Sequence, residues 1–92
     1  MHYVYIARCS DGTFYVGHTE NLDLRGNEHN DGRGARYTAL RCPVRFVHTE
    51  IFESLEAAVR RERQLKRWSH AKKQALISGN LQRLKQLSQG RL

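Results

Sequence analysis

Several kinds of residue are scarce in this 92-residue chain, and each scarcity excludes something. Proline occurs once, at Pro43, so no stretch reads as a proline-rich linker. Cysteine occurs twice, as Cys9 and Cys42. Two are few for a disulfide-stapled secreted domain, and these lie too far apart in the chain for a zinc site. Both are read as reduced, buried thiols. No apolar run approaches the roughly 20 residues that cross a bilayer, and no signal peptide opens the chain. The expectation is a cytoplasmic protein without a membrane partner. Acidic side chains are few as well: 9 against 16 Lys plus Arg, for a net charge of +7. That excess points to a polyanionic partner, with nucleic acid first and an anionic membrane surface as the weaker alternative.

The charge is unevenly placed. Residues 1–34 hold three basic and five acidic side chains, and residues 35–92 hold thirteen and four. The positive field belongs to the second half. Between residues 60 and 73 lie seven cations and one carboxylate: Arg60, Arg61, Arg63, Lys66, Arg67, Lys72 and Lys73 with Glu62. A charge run on a helix is usually a solvated face. Here the density is high and Trp68 and His70 are interleaved, so a surface contacting phosphate backbone is a fair reading.

What is present organises into one domain over 1–92, with a core of about 2–79 and a short C-terminal helix near 80–88. Residues 2–9, HYVYIARC, read as a strand, Ser10-Asp11-Gly12-Thr13 as a turn, and 14–19, FYVGHT, as the returning strand. Gly17 in that strand suggests close approach of backbone or ligand. Asn21 is a plausible cap for a helix stopped by Asn30-Asp31-Gly32, with Gly26 a weak point within it. A basic connector over 32–43 contains Gly34 and Tyr37, the latter expected to pack. Residues 44–52 read as a third strand of imperfect alternation. Ser54 caps a helix to about Trp68, Ser69 one ending at Gly79, and Asn80 a last one. The order ββαβαα(α) gives the α+β class: a three-stranded antiparallel sheet flanked by helices.

One carboxylate falls on an unexpected face. At about 100° per residue, Leu55, Ala58, Val59 and Leu65 form the core-facing stripe of their helix, and Glu62 falls inside it. Arg60, Arg63 and Gln64 fall on the other side. A buried carboxylate without a partner costs several kcal/mol, so Glu62 needs one. An internal ion pair with Arg25 or Arg45 is one solution. A metal-binding or catalytic carboxylate at a cleft rim is the other.

Tyr5 and Tyr15 lie on paired strands, His18 follows Tyr15, and Arg25 and His29 share a face of the next helix. Each alone has a bland reading: strand core for the tyrosines, a surface charge for Arg25, a strand-end residue for His18 and helix capping for His29. Together with Glu62 they suit phosphodiester cleavage, which needs a base for water, a cation for developing charge and a metal site. His2, His48 and His70 are left as structural.

At these residues the chain resembles the GIY-YIG nuclease superfamily. Tyr3-Val4-Tyr5 and Tyr15-Val16-Gly17 resemble its paired motif, and YVGHTENLDLRGNEHN its second strand and following helix. ESLEAAVRRERQLKRW resembles the helix bearing its metal-binding glutamate, and GRGARYTALRCPVRFV with WSHAKKQALISGN resemble its small stand-alone bacterial members. The likeness spans about residues 2–80. It implies that Tyr15 activates the attacking water, Tyr5 orients groups within the site and Arg25 stabilises transition-state charge. It implies that Glu62 holds one divalent cation, Mg²⁺ or Mn²⁺, with His18 and His29 as proton-transfer or phosphate-contact groups. The implied activity is metal-dependent endonucleolytic cleavage of DNA, branched or flapped forms included, in repair or recombination, by a monomer or weak dimer. The alternative is a binding module that keeps the fold without the chemistry. Tyr3 stands where the family usually has glycine, and Gly26 replaces an apolar residue beside Arg25, which bears on rate.

Overall fold

The computed structural model describes residues 1–89, so the last three residues of the expected domain lie outside the described residues. The strands are β1 (His2–Arg8), β2 (Phe14–Thr19) and β3 (Arg45–Phe52). The helices are α1 (Leu22–Asn30), α2 (Arg36–Ala39), α3 (Leu55–Lys66), α4 (His70–Ile77) and α5 (Leu81–Gln89). The sheet is antiparallel in the order β2-β1-β3, which places the hairpin strand β2 at an edge. Gly12 turns the hairpin with φ +85°, a conformation open to glycine at little cost.

The register explains why β1 lacks a polar alternation. Tyr5 pairs with Gly17 and Ala7 with Tyr15, so these four share one face. Val4 and Ile6 point the other way, and all four middle residues of β1 are fully buried. On the Val4/Ile6 face, Val16, Ala58 and Leu65 close a core that Phe14, Val47, Trp68, Leu76 and Ile77 extend. On the Tyr5/Ala7 face lie Cys9 and Val44, with Tyr15, Leu22 and Phe46 around them. The sheet therefore has helix on both sides, with α3 on one face and α1 on the other.

Local chemistry sets the helix starts. Asn21, Ser54 and Ser69 each accept a hydrogen bond from a backbone N–H of the first turn. The irregularity expected in β3 is a shift in its pairing with β1 between Ile6 and Ala7, at Val47, and Phe46 and Val47 beside it reach opposite cores by ordinary alternation.

Three expectations need correction. The connector over 32–43 contains the short helix α2. Four residues are too few to show a helical period. Leu55, placed in the core stripe, is 49% exposed: it is the first residue of α3, and the stripe reaches the core only from Ala58 on. Cys42 is only part-buried, unlike Cys9, and its thiol donates to the His29 carbonyl at 2.9 Å.

Candidate active site

The centre of the site grows from the Tyr5/Ala7 face of the sheet. Tyr5 is fully buried on the central strand, and its ring lies over Gly17. A Cβ at residue 17 would stand 2.5 Å from the Tyr5 hydroxyl oxygen, so the glycine makes room for the phenol. Helix α1 crosses this face and delivers His29, also fully buried, with Nε2 2.7 Å from that hydroxyl. The other ring nitrogen, Nδ1, is 2.7 Å from Thr38 Oγ1 on α2. Thr38 has one hydroxyl proton, and it goes to the Ala35 carbonyl at 3.0 Å. Thr38 must then accept from His29 Nδ1–H, which leaves Nε2 bare to accept from Tyr5. The network fixes the tautomer: Tyr5 donates to His29, His29 to Thr38, and Thr38 to the backbone.

Charges around this chain are tuned consistently. Burial pushes the Tyr5 phenol up to about 12, against the opposing pull of Arg25 and with smaller pushes from Tyr15 and Glu62. Burial, with help from the Arg25 charge, holds His29 below the ordinary histidine range, so the imidazole is neutral at pH 7. Burial also works against the Arg25 charge. The neighbouring Tyr5 hydroxyl and Glu28 carboxylate more than offset it and raise its pKa. Arg25 pairs with Glu28 at 3.3 Å and remains part-exposed.

Tyr15 borders the same cluster. Its ring centroid is 6.4 Å from Tyr5, 5.4 Å from His29 and 6.1 Å from Tyr37, which lies near parallel to it. Tyr37, expected to pack, does so between Tyr15 and the Arg41 guanidinium, yet stays 38% exposed. The Tyr15 hydroxyl has no hydrogen-bond partner among the described residues, and the ring is only half-buried.

Glu62 approaches from the opposite face of the sheet. Its partners are neither Arg25 nor Arg45, the two anticipated from sequence. His18 Nδ1 is 2.7 Å from Oε1, and Lys66 Nζ is 3.1 Å from Oε2. The reason is geometric: β2 is an edge strand, so His18, pointing toward α3, meets Glu62 directly. Lys66, one turn on from Glu62, also lines a cavity of about 210 Å³ with Phe14, Tyr15, Val16, Tyr37 and Lys73. That cavity straddles the free edge of β2 and joins Tyr15 to the Glu62 side. Burial lowers the pKa of Lys73 there.

The sequence-predicted residues thus fall into two groups. Tyr5, Tyr15, Arg25 and His29 form one cluster, and His18 with Glu62 a second across the β2 edge. The seven helix cations divide as well. Arg61 is bound to Glu50 through two hydrogen bonds of 2.8 and 3.0 Å, and Lys72 is buried with its ammonium 4.3 Å from the Trp68 ring. Thr38 was not anticipated. It sits in a connector without periodicity, and Gly34, against whose position the His29 ring is packed, was its only sequence signal.

No group of three His, Cys, Asp or Glu able to hold a metal exists among the described residues. A site with a single carboxylate remains chemically suited to Mg²⁺, which keeps waters and takes phosphate oxygens. Glu62 fits that pattern, since among the described residues its Oε2 is met only by the exposed end of Lys66 in a helical pair worth a few tenths of a kcal/mol.

A central strand bears one buried tyrosine, an edge strand a second, and a helix behind the sheet carries the glutamate. The model of the GIY-YIG catalytic domain matches residues 1–75, and the chain belongs to that family. Within it, the chain is 51% identical to a UPF0213 protein of Halobacterium salinarum over 84% of this chain and 100% of that one. It is 43% identical to a UPF0213 protein of Staphylococcus saprophyticus over 84% and 94%. The solution structure of a UPF0213 protein from Bacillus halodurans is similar at 47% identity and TM-score 0.55, covering 84% of this chain and 82% of that one. A structure from E. faecalis is similar at 41% identity and TM-score 0.57, covering 87% and 86%.

Proposed function

We propose that this protein is a metal-dependent endonuclease that hydrolyses phosphodiester bonds in DNA, with a role in repair or recombination. The observation that carries the reading is the hydrogen-bonded chain Tyr5–His29–Thr38 set beside Arg25 and the unpartnered Tyr15 hydroxyl. A buried phenol–imidazole pair adds little to packing by itself, since two apolar rings of the same shape would be about as stable.

Tyr15 is the group free to meet a water at the cleft and to orient it for attack. Tyr5 is held protonated and its oxygen keeps a lone pair toward Arg25, so it fixes the guanidinium. Arg25 then meets negative charge building on the phosphate oxygens. His29 accepts from the Tyr5 hydroxyl at Nε2 and so keeps the phenol oriented. His18 holds the Glu62 carboxylate in place, and Glu62 would hold a single Mg²⁺ or Mn²⁺. When bound, that cation supplies charge stabilisation at the scissile phosphate and leaving oxygen. Lys66 and Lys73 supply cations along the cavity beside Tyr15.

The test uses purified protein with Mg²⁺ or Mn²⁺ and labelled linear, flapped and branched DNA. Cleavage is expected, reduced at least 100-fold or so in each of Glu62→Ala, Arg25→Ala and Tyr15→Phe. Activity persisting in all three would place the chemistry elsewhere. Salt-dependent binding without cleavage under either metal would leave a non-catalytic binding module.

A further inference from the structure

The basic residues of α3 do not form one surface. Leu65 and Ala58 are fully buried against the sheet, and Glu62 lies between them on the same side. Arg60, Arg63 and Arg67 are exposed on the opposite side of the helix. With Glu56, Trp68 and Lys72 they line an open groove of about 870 Å³. This groove shares no residue with the cavity at Tyr15, which is lined by Lys66 and Lys73.

Neutralisation differs between the sides too. Arg61 is bound to Glu50, and Lys66 to Glu62. None of Arg60, Arg63, Arg67 and Lys72 has a carboxylate partner among the described residues. Four cations converge on a groove whose one carboxylate among the described residues, Glu56, is paired with none of them. Lys72 is held by the Trp68 ring, with the Arg61 guanidinium also against that ring at 5.2 Å. Cation–π contact positions an ammonium without cancelling its charge. Unpaired cations held close together in a groove repel one another unless a polyanion lies among them.

We infer that the groove between α3 and α4 is a second phosphate-backbone site, separate from the cleft, so that one chain engages two stretches of nucleic acid. A helix of about 10–12 Å diameter stands between the two tracks, so one phosphate strand does not line both. The inference rests on the nucleic-acid partner proposed above, but not on cleavage.

The experiment measures binding without divalent metal, so that nothing is cut. Affinity for a short DNA duplex is followed by fluorescence anisotropy across a salt series, for the wild-type chain and for R60Q/R63Q/R67Q. Every phosphate that the protein ceases to neutralise flattens the slope of log K against log salt by about 0.9, so the triple variant is expected to lose about 3 in slope. Native mass spectrometry should show two short duplexes on one wild-type chain and one on the variant. An unchanged slope, or a wild-type chain that takes only one duplex, overturns the second site while leaving the nuclease reading intact. Loss of binding to vesicles containing phosphatidylserine, with the DNA slope unchanged, also overturns it in favour of a membrane. A wild-type chain that binds no DNA removes the proposed function and this site together. Glutamine preserves helix propensity at these exposed positions, and circular dichroism checks that the variant is folded.

Discussion

At the scale of single residues, the site depends on what Gly17 lacks. Alanine at that position would drive its Cβ to 2.5 Å from the Tyr5 hydroxyl and 2.7 Å from the ring carbon bearing it. Both strands are held by their ladder, so the clash is not relieved by a flexible tip. Gly17→Ala should destabilise the fold by about 1–3 kcal/mol, read from urea unfolding. Tyr5 itself makes stability depend on alkaline pH. An unfolded tyrosine releases its proton near pH 10, while burial holds the folded one to about 12. Between those values the unfolded chain binds fewer protons than the folded chain, so stability is full below pH 10 and falls as pH rises. Tyr5→Phe should flatten that decline in denaturant titrations between pH 9 and 12. An unaltered slope would mean the phenol is not held protonated.

At the scale of elements, much was legible. The hairpin, β3, the caps at Asn21, Ser54 and Ser69 and the helical order follow from alternation, turn chemistry and capping residues. The site was legible in part. Glu62 announced itself by lying in an apolar stripe, and it does face inward. Its partners did not, because pairing with His18 depends on β2 being an edge strand, which is a fact of topology. Thr38 was hidden for a related reason: its role arises only once α2 is folded against α1. Gly26 offers a test at this scale. A Cβ there would meet only the Phe46 ring at 3.7 Å, an ordinary contact. Gly26→Ala should stabilise α1 by about 0.5–1 kcal/mol and raise the melting temperature by a few degrees. A fall would show that the glycine serves packing not evident in the fold.

At the scale of the whole molecule, composition pointed to a basic second half, and the fold decides how that charge is used. Among the described residues, two of the seven cations are neutralised by carboxylates, one faces the Tyr15 cavity unpaired, and the rest converge on the outer groove. A linear count of charge could not show this division, since it follows from which side of α3 meets the sheet. Helix α5 packs chiefly on α4, away from the strands. Deleting residues 81–92 should therefore leave the sheet and the Tyr5–His29 hydrogen bond in place. Trp68 fluorescence should report a cooperative transition with a midpoint lower by only a few degrees. Loss of a cooperative transition would show that the core needs this helix.

The buried hydrogen-bonded pair also constrains how the sequence can drift. The Tyr5 ring presses on Gly17, and the His29 ring on Gly34. Two aromatic side chains thus claim the space that two other positions would need for any side chain at all. Enlarging either glycine costs stability unless the ring facing it is made smaller as well. Tyr5 with Gly17 and His29 with Gly34 are therefore coupled pairs, and a change at either glycine combines non-additively with a change at the ring against it.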